Sequence, residues 1–428
     1  MAEESGAMPA TLSMAAPLVP TAKEEWRAHG LVPVAAGLGY ATSVIHIYGV
    51  GPFYGPVAQE FGWSRTEVTF GLTLATLVQA VGGVVVGLAV DRFGPRRFGV
   101  FGLVLMGLAF ALLGTASGSL GNWYLLWAVI ALCALPVQAS VWTSAVASRF
   151  TASRGMAFAV TLCGASIAAG LFPPMATWLI GTLGWRAAFP AQAAIWLAVA
   201  FPVIFVWFHG RYDKGRKGSA APDAGKVADL PGASLRQGLT SSVYHRLFLA
   251  SLLFTFTVIA LVVHFTAILG DAGASPMAAA AIASLVGWFS LAGRLGTGAL
   301  LDRLPASLVG AAVFLLPVAG CLLLLLGGGS LPIMALASAL IGVTLGAEID
   351  VVVYLLTRHF GLKNFGGLYG CVLAALSIGT AAGPLAAAQI FDRTGSYDGF
   401  LWLGLAFMVA SSVAIATLPR GAAAYSAH

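Results

Sequence analysis

Charge is scarce in this chain. Asp, Glu, Lys and Arg together make up 9% of its 428 residues, where an average globular domain has about a quarter. Hydrophobic types reach 59%, and mean hydropathy is +0.90. So few charges cannot cover a water-soluble core, which sets aside a soluble enzyme, a disordered chain and a nucleic-acid binder. The net charge of +6 needs no anionic polymer to explain it, because a membrane protein carries such an excess in its cytoplasmic loops. Cysteine is scarce too. Cys133, Cys163, Cys321 and Cys371 all sit inside apolar runs and read as packing residues, not as a disulfide framework or zinc set. There is no GxxxxGK[ST] loop for an ATP-driven pump. No nucleophile–base pair or metal cluster stands out, so no enzyme, no metal and no cofactor is expected. Short alternating segments of the β-barrel kind are missing as well.

Long apolar runs are what the chain has. Twelve lie near 31–54, 67–90, 98–117, 123–148, 155–182, 187–209, 246–270, 276–301, 307–327, 331–357, 365–390 and 397–418. Each has about the 20 residues a helix needs to cross a bilayer. Backbone groups find no water in lipid, so helices are the consistent choice. The expected fold is an all-α membrane protein of twelve transmembrane helices. Residues 1–30 are polar and lack the pattern of a signal peptide, so a disordered cytoplasmic tail is expected there. A six-helix bundle follows at 31–209, a basic cytoplasmic linker at 210–242, a second bundle at 243–420 and a short cytoplasmic tail at 421–428. Basic residues fall in the linker and in the loops holding Arg92, Arg96, Arg97, Arg149, Arg154 and Arg303, with Arg358 and Lys363 further on. The opposite loops hold only Arg65, Arg186 and Arg393. That asymmetry puts both termini in the cytoplasm. The absence of a targeting segment fits a bacterial inner membrane.

The second half echoes the first at an offset of 211 residues, Asp91 to Asp302. Gly87-Leu-Ala-Val-Asp91-Arg92 recurs as Gly298-Ala-Leu-Leu-Asp302-Arg303, and Ser166-Ile167 as Ser377-Ile378. A duplicated six-span unit is the layout of a rocking transporter with substrate bound between its halves. Twelve spans, this repeat, and Asp91-Arg92-Phe93-Gly94-Pro95-Arg96-Arg97 after the second span resemble the major facilitator superfamily over about residues 30–420. A narrower likeness is to its oxalate/formate antiporter and monocarboxylate transporter group. It rests on Gly293-Arg294 before Asp302-Arg303 in span 8. Gly346-Ala-Glu348-Ile-Asp350, Tyr354 and Arg358-His359-Phe360-Gly361 in span 10 complete it. The resemblance implies two pseudo-symmetric bundles and a gating role for Asp91, Arg92, Asp302 and Arg303 at the cytoplasmic side. It also implies carboxylate binding at Arg294. Two departures matter. Span 11 has no deep cation like that of the oxalate/formate relatives, and Tyr48 stands at about the place of the span 1 lysine of animal-type monocarboxylate relatives.

Arg294 lies eight residues before Asp302, so about 12 Å up the helix and near the centre of the bilayer. An ionisable group there costs about 2.5–3.5 kcal/mol on insertion scales and needs a reason. Its planar guanidinium matches a carboxylate in two bonds; the competing reading is a structural ion pair with an acid of span 10. Ser290 lies one turn above it. Glu348 and Asp350 sit about 200° apart on span 10, so both cannot face one cavity squarely. Asp350 shares a stripe with Gly346 and Tyr354. A carboxyl pulled one way by burial and the other by an arginine can carry a proton during transport. At about the repeat offset these acids map to Gln138 and Ser140 of span 4, candidates for hydrogen bonds to substrate. His46 in span 1 is a candidate proton switch or a neutral histidine bonded within the bundle. His264 reads as structural. The expected substrate-binding set is Arg294, Ser290, Gln138, Tyr48 and Tyr354, and the proton-coupling set Asp350, Glu348 and His46.

The function these residues point to is secondary transport of small organic anions, monocarboxylates first, as a monomer, by proton symport or by exchange for a counter-anion. Efflux of a drug-like compound and a non-transporting membrane sensor are the alternatives.

Overall fold

The computed structural model describes residues 21–210, 232–301, 303–327, 329–361 and 363–419. Helix accounts for nearly all of them. Among the described residues, nine helices are long and apolar enough to cross a membrane, and one of these, Arg154–Trp207, contains two spans. It turns at Gly184, whose φ of 75° is open to glycine but strained for other residues. Span 5 therefore covers residues 154–183 and span 6 residues 185–207. Span 2 is the helix Arg65–Phe93. Spans 7 to 12 are Ser242–Asp271, Pro276–Leu301, Ala306–Leu326, Leu331–Phe360, Phe365–Thr394 and Asp398–Ala416.

Spans 1 and 4 are not single rods. Span 1 runs Leu31–Ser43, Ile45–Tyr48 and Gly51–Phe61. The Thr42 and Ser43 hydroxyls bond back to the carbonyls of Leu38 and Tyr40 at 3.0 and 2.6 Å, which bends a helix. Pro52 then opens the last piece without an amide hydrogen. Span 4 breaks at Pro136, and extended Gln138 starts its second piece, Ala139–Ala147. Broken spans supply irregular backbone only where it lines the interior.

Burial follows the repeat. One apolar cluster is built from residues between Val32 and Phe208, joined by Ile259 and Val263 of span 7. A second is built between Ala233 and Leu418, and Leu345 packs against both. The ends of the bundle are distinguished by their contacts. Glu25 meets the loop between spans 4 and 5, and Ala233 meets the end of span 10; this is the terminal end. Arg65 meets residues that end spans 7 and 11; this is the distal end.

Two boundaries differ from the sequence reading. Residues 22–29 are not part of a disordered tail, because Ala22–His29 is a helix with a capping box between Thr21 and Glu24. Its Glu25 is 3% exposed and accepts bonds from the backbone of Thr151, Ala152 and Ser153 and from the Thr151 and Ser153 hydroxyls. Nor does the linker extend to residue 242. Ala233 is bonded to Phe360 and Asn364 at 2.8 Å, the helix Leu235–Leu239 follows, and span 7 already starts at Ser242. The rest of the expected linker, and both outer tails, lie outside the described residues.

Burial alone would raise the Glu25 pKa, but its hydrogen bonds together hold it down at about 2. The carboxylate therefore stabilises this contact fully above the ordinary value of 4.5, and the contribution is lost as pH falls towards 2. Replacing Glu25 by Ala leaves those donors bare and is expected to release the helix. Trypsin cleavage after Arg27 in detergent at neutral pH should then speed up several-fold, and an unchanged cleavage rate would show that the carboxylate does not hold it.

Candidate functional site

The site is assembled by close packing of spans 8 and 10. Val286, Gly293 and Ser290 of span 8 meet Gly342, Val343 and Gly346 of span 10. A β-carbon at Gly346 would overlap the Ser290 carbonyl, and one at Gly293 would overlap that of Val343. Contact of backbone on backbone is what small residues at a helix crossing permit. It brings the Arg294 Nη1 to 3.2 and 3.4 Å from the two carboxylate oxygens of Asp350. The arginine side chain is 8% exposed and the aspartate 31%. The Arg294 Nε is buried without a hydrogen-bond partner among the described residues.

Glu348 is 2% exposed. It lies beside Ser251 of span 7 and within the fields of Arg294 and Asp350, and its Oε1 has no hydrogen-bond partner among the described residues. The charge of Arg294 also reaches Tyr40 and Tyr48 of span 1, Cys163 of span 5 and Tyr369 of span 11. All four are half-buried. The cluster thus draws on both halves. Tyr40, Cys163 and Tyr369 are invisible to sequence reasoning, because a tyrosine or cysteine in an apolar helix has the pattern of a packing residue.

The other expected site residues fall elsewhere. Ser290 is 2% exposed and shares a 2.8 Å hydrogen bond with Ser166 of span 5; it joins the halves. Gln138 donates to the Gln79 carbonyl at 2.9 Å within the first half. Gln79 donates through its Nε2 to Ala75 and to the His46 Nε2 at 3.0 Å. That lone pair is therefore used, and His46 is held on its own half as a fully buried ring. Tyr354 accepts from Arg358 at 3.4 Å, one turn nearer the terminal end than Asp350. Arg303 is exposed. Asp302 and the side chains of Asp91 and Arg92 lie outside the described residues, and with them the expected cytoplasmic latch. His264 bridges the Pro384 carbonyl at 2.9 Å and the Tyr397 hydroxyl at 3.1 Å. A carbonyl only accepts, so the His264 Nε2 donates.

Between described residues, the hydrogen bonds that join the halves are Ser166 with Ser290, Thr73 with Ala381 at 2.7 Å, and a group around Arg65. Span 5 also lies against span 8 where Gly170 meets Gly287.

Residues 36–348 match the family model of the Major Facilitator Superfamily. The chain belongs to that superfamily. It is a multi-pass membrane transporter. It is 32% identical over 367 residues to a chloramphenicol resistance protein of Streptomyces lividans, covering 82% of this chain and 88% of that one. It is 27% identical over 381 residues to monocarboxylate transporter 13 of Bos taurus, with 88% and 85% covered. The solved structure of a bacterial homolog of the human lysosomal transporter Spinster superposes with a TM-score of 0.63 at 15% identity, covering 90% of this chain and 94% of that one; this likeness speaks for the fold.

The glycine crossing gives a test. Gly346→Val should push spans 8 and 10 apart and lower the melting temperature in detergent by several degrees, since overpacking costs about 1–3 kcal/mol. Gly296→Ala, on span 8 with nothing within 4 Å of the new β-carbon, should leave it unchanged or raise it. Equal behaviour of the two variants would rule out the crossing as the element that positions Arg294.

Proposed function

We propose that the protein carries small monocarboxylates by alternating access, with Arg294 as the carboxylate anchor. One observation carries this reading. A buried guanidinium, whose Nε has no partner among the described residues, is paired to an acid that keeps part of its surface open. In the empty protein Asp350 holds the guanidinium. An incoming carboxylate replaces it, because Arg294 offers the same planar fork to either. Two carboxylates cannot share one cation at that depth without further positive charge. A proton on Asp350, or on Glu348 within its field, supplies that charge and couples transport to the proton gradient. Tyr48, with Tyr40 from the same half and Tyr369 from the other, offers hydroxyls to the rest of the substrate. A single deep cation suits a substrate with one carboxylate. The likeness to a monocarboxylate transporter supports the same reading. The basic loops at the terminal end support a cytoplasmic position for that end, in a cytoplasmic membrane.

A second reading is favoured by the likeness to a chloramphenicol resistance protein: efflux of an uncharged drug-like compound. In that case Arg294 and Asp350 remain a structural pair and substrate leaves their bond intact.

Uptake into proteoliposomes separates these readings. Lactate-sized acids should accumulate under an imposed inward proton gradient, and exchange for preloaded anion should run without one. Arg294→Lys should lower carboxylate uptake about 10–100-fold, because a charged hydrogen bond is worth roughly 1.5–3 kcal/mol and a lysine cannot reproduce the fork. Asp350→Asn should retain exchange and lose proton-driven accumulation. Wild-type uptake by a folded Arg294→Lys protein would eliminate the anchor, and chloramphenicol resistance in cells without carboxylate uptake would select the second reading.

A further inference from the structure

The N-terminus of span 2 is capped from two sides. Ser64 and Glu67 form a capping box: the Glu67 carboxylate takes the Ser64 N–H at 2.8 Å, and the Ser64 hydroxyl takes the Glu67 N–H at 3.2 Å. This box leaves the N–H groups of Arg65 and Thr66 unsatisfied. Both are taken by a single carboxylate from the other half of the molecule, Asp392 at the end of span 11, at 2.9 and 2.8 Å. The Arg65 side chain is clasped by the same region. Its guanidinium lies 3.7 Å from the centre of the Phe391 ring. Its Nη1 donates to the Tyr397 hydroxyl at 2.7 Å, and its Nη2 is 3.5 Å from Asp271 at the end of span 7. Tyr397 is 3% exposed and is itself fixed by His264.

We propose that Asp392 and Arg65 form the distal lock of the transport cycle, holding that end shut while the Arg294 site opens to the terminal side. A carboxylate on a helix N-terminus gains from the partial positive charge of the unpaired N–H groups. Asp392 is exposed and Arg65 is 26% exposed, so water replaces each partner when the halves separate. The capping box stays behind and keeps span 2 helical in the open state. The lock is therefore strong enough to bias the equilibrium and weak enough to release. It rests on the rocking of two halves and is independent of which substrate Arg294 takes.

Spin labels at Ser119→Cys in the loop between spans 3 and 4 and at Ala272→Cys after span 7, with the four native cysteines replaced by Ser, report the distal opening as a distance in nanodiscs without substrate. Asp392→Ala should raise the ratio of open to closed distances about tenfold, and Arg65→Ala should raise it less, because its backbone N–H remains. Ser64→Ala should lower the melting temperature through loss of the capping box while leaving the ratio as it was. If Asp392→Ala does not fold, Asp392→Asn and Arg65→Ala decide. An unchanged ratio in the folded Asp392 and Arg65 variants overturns the lock, whatever the outcome of the transport assays. A shift in the ratio without carboxylate uptake would instead uphold the lock and refute the substrate reading.

Discussion

The ion pair between Arg294 and Asp350 is the constraint around which the second half is built. A lone guanidinium inside an apolar bundle is costly, and one in contact with a carboxylate is tolerable only when the geometry is close. Closeness comes from glycine. Gly293, Gly342 and Gly346 remove the β-carbons that would keep spans 8 and 10 apart. The two helices therefore carry cation and anion together. Span 8 also meets span 5 of the other half, through Ser166 with Ser290 and Gly170 against Gly287. The residue that joins the halves thus stands one helical turn from the residue that holds the charge.

Helix number, the division into halves and the burial of Arg294 were legible in the sequence, because apolar run length and charge scarcity are strong one-dimensional signals. The choice between Glu348 and Asp350 was not. Helical periodicity separates them by about 200° but says nothing of which side meets span 8. That depends on the placement of Gly293 against Val343, a fact of tertiary packing. The segmented course of span 1 was hidden by an unbroken apolar run, although Thr42-Ser43 and Gly51-Pro52 carried a signal. Gln138 looked like a binding group, and His46 like a proton switch or a histidine bonded within the bundle, because both are polar at depth. In the folded chain each is engaged on its own half, through Gln79.

Glu25 and Asp392 were illegible for a shared reason. Each looks like an ordinary carboxylate near a chain end or loop, and each has backbone N–H groups as partners, which leave no trace in sequence. Cations outnumber acids in this chain, yet these two carboxylates take backbone N–H groups at or beside helix starts as their donors. The two sites use this chemistry to different ends. Glu25 is almost fully buried and binds within its own half, so leaving its site would strand charge and donors away from water. Asp392 binds across the halves at an exposed position, where water stands ready to take over. The same hydrogen bonds thus serve as a permanent fastening in one place and a releasable one in the other, and solvent access decides which.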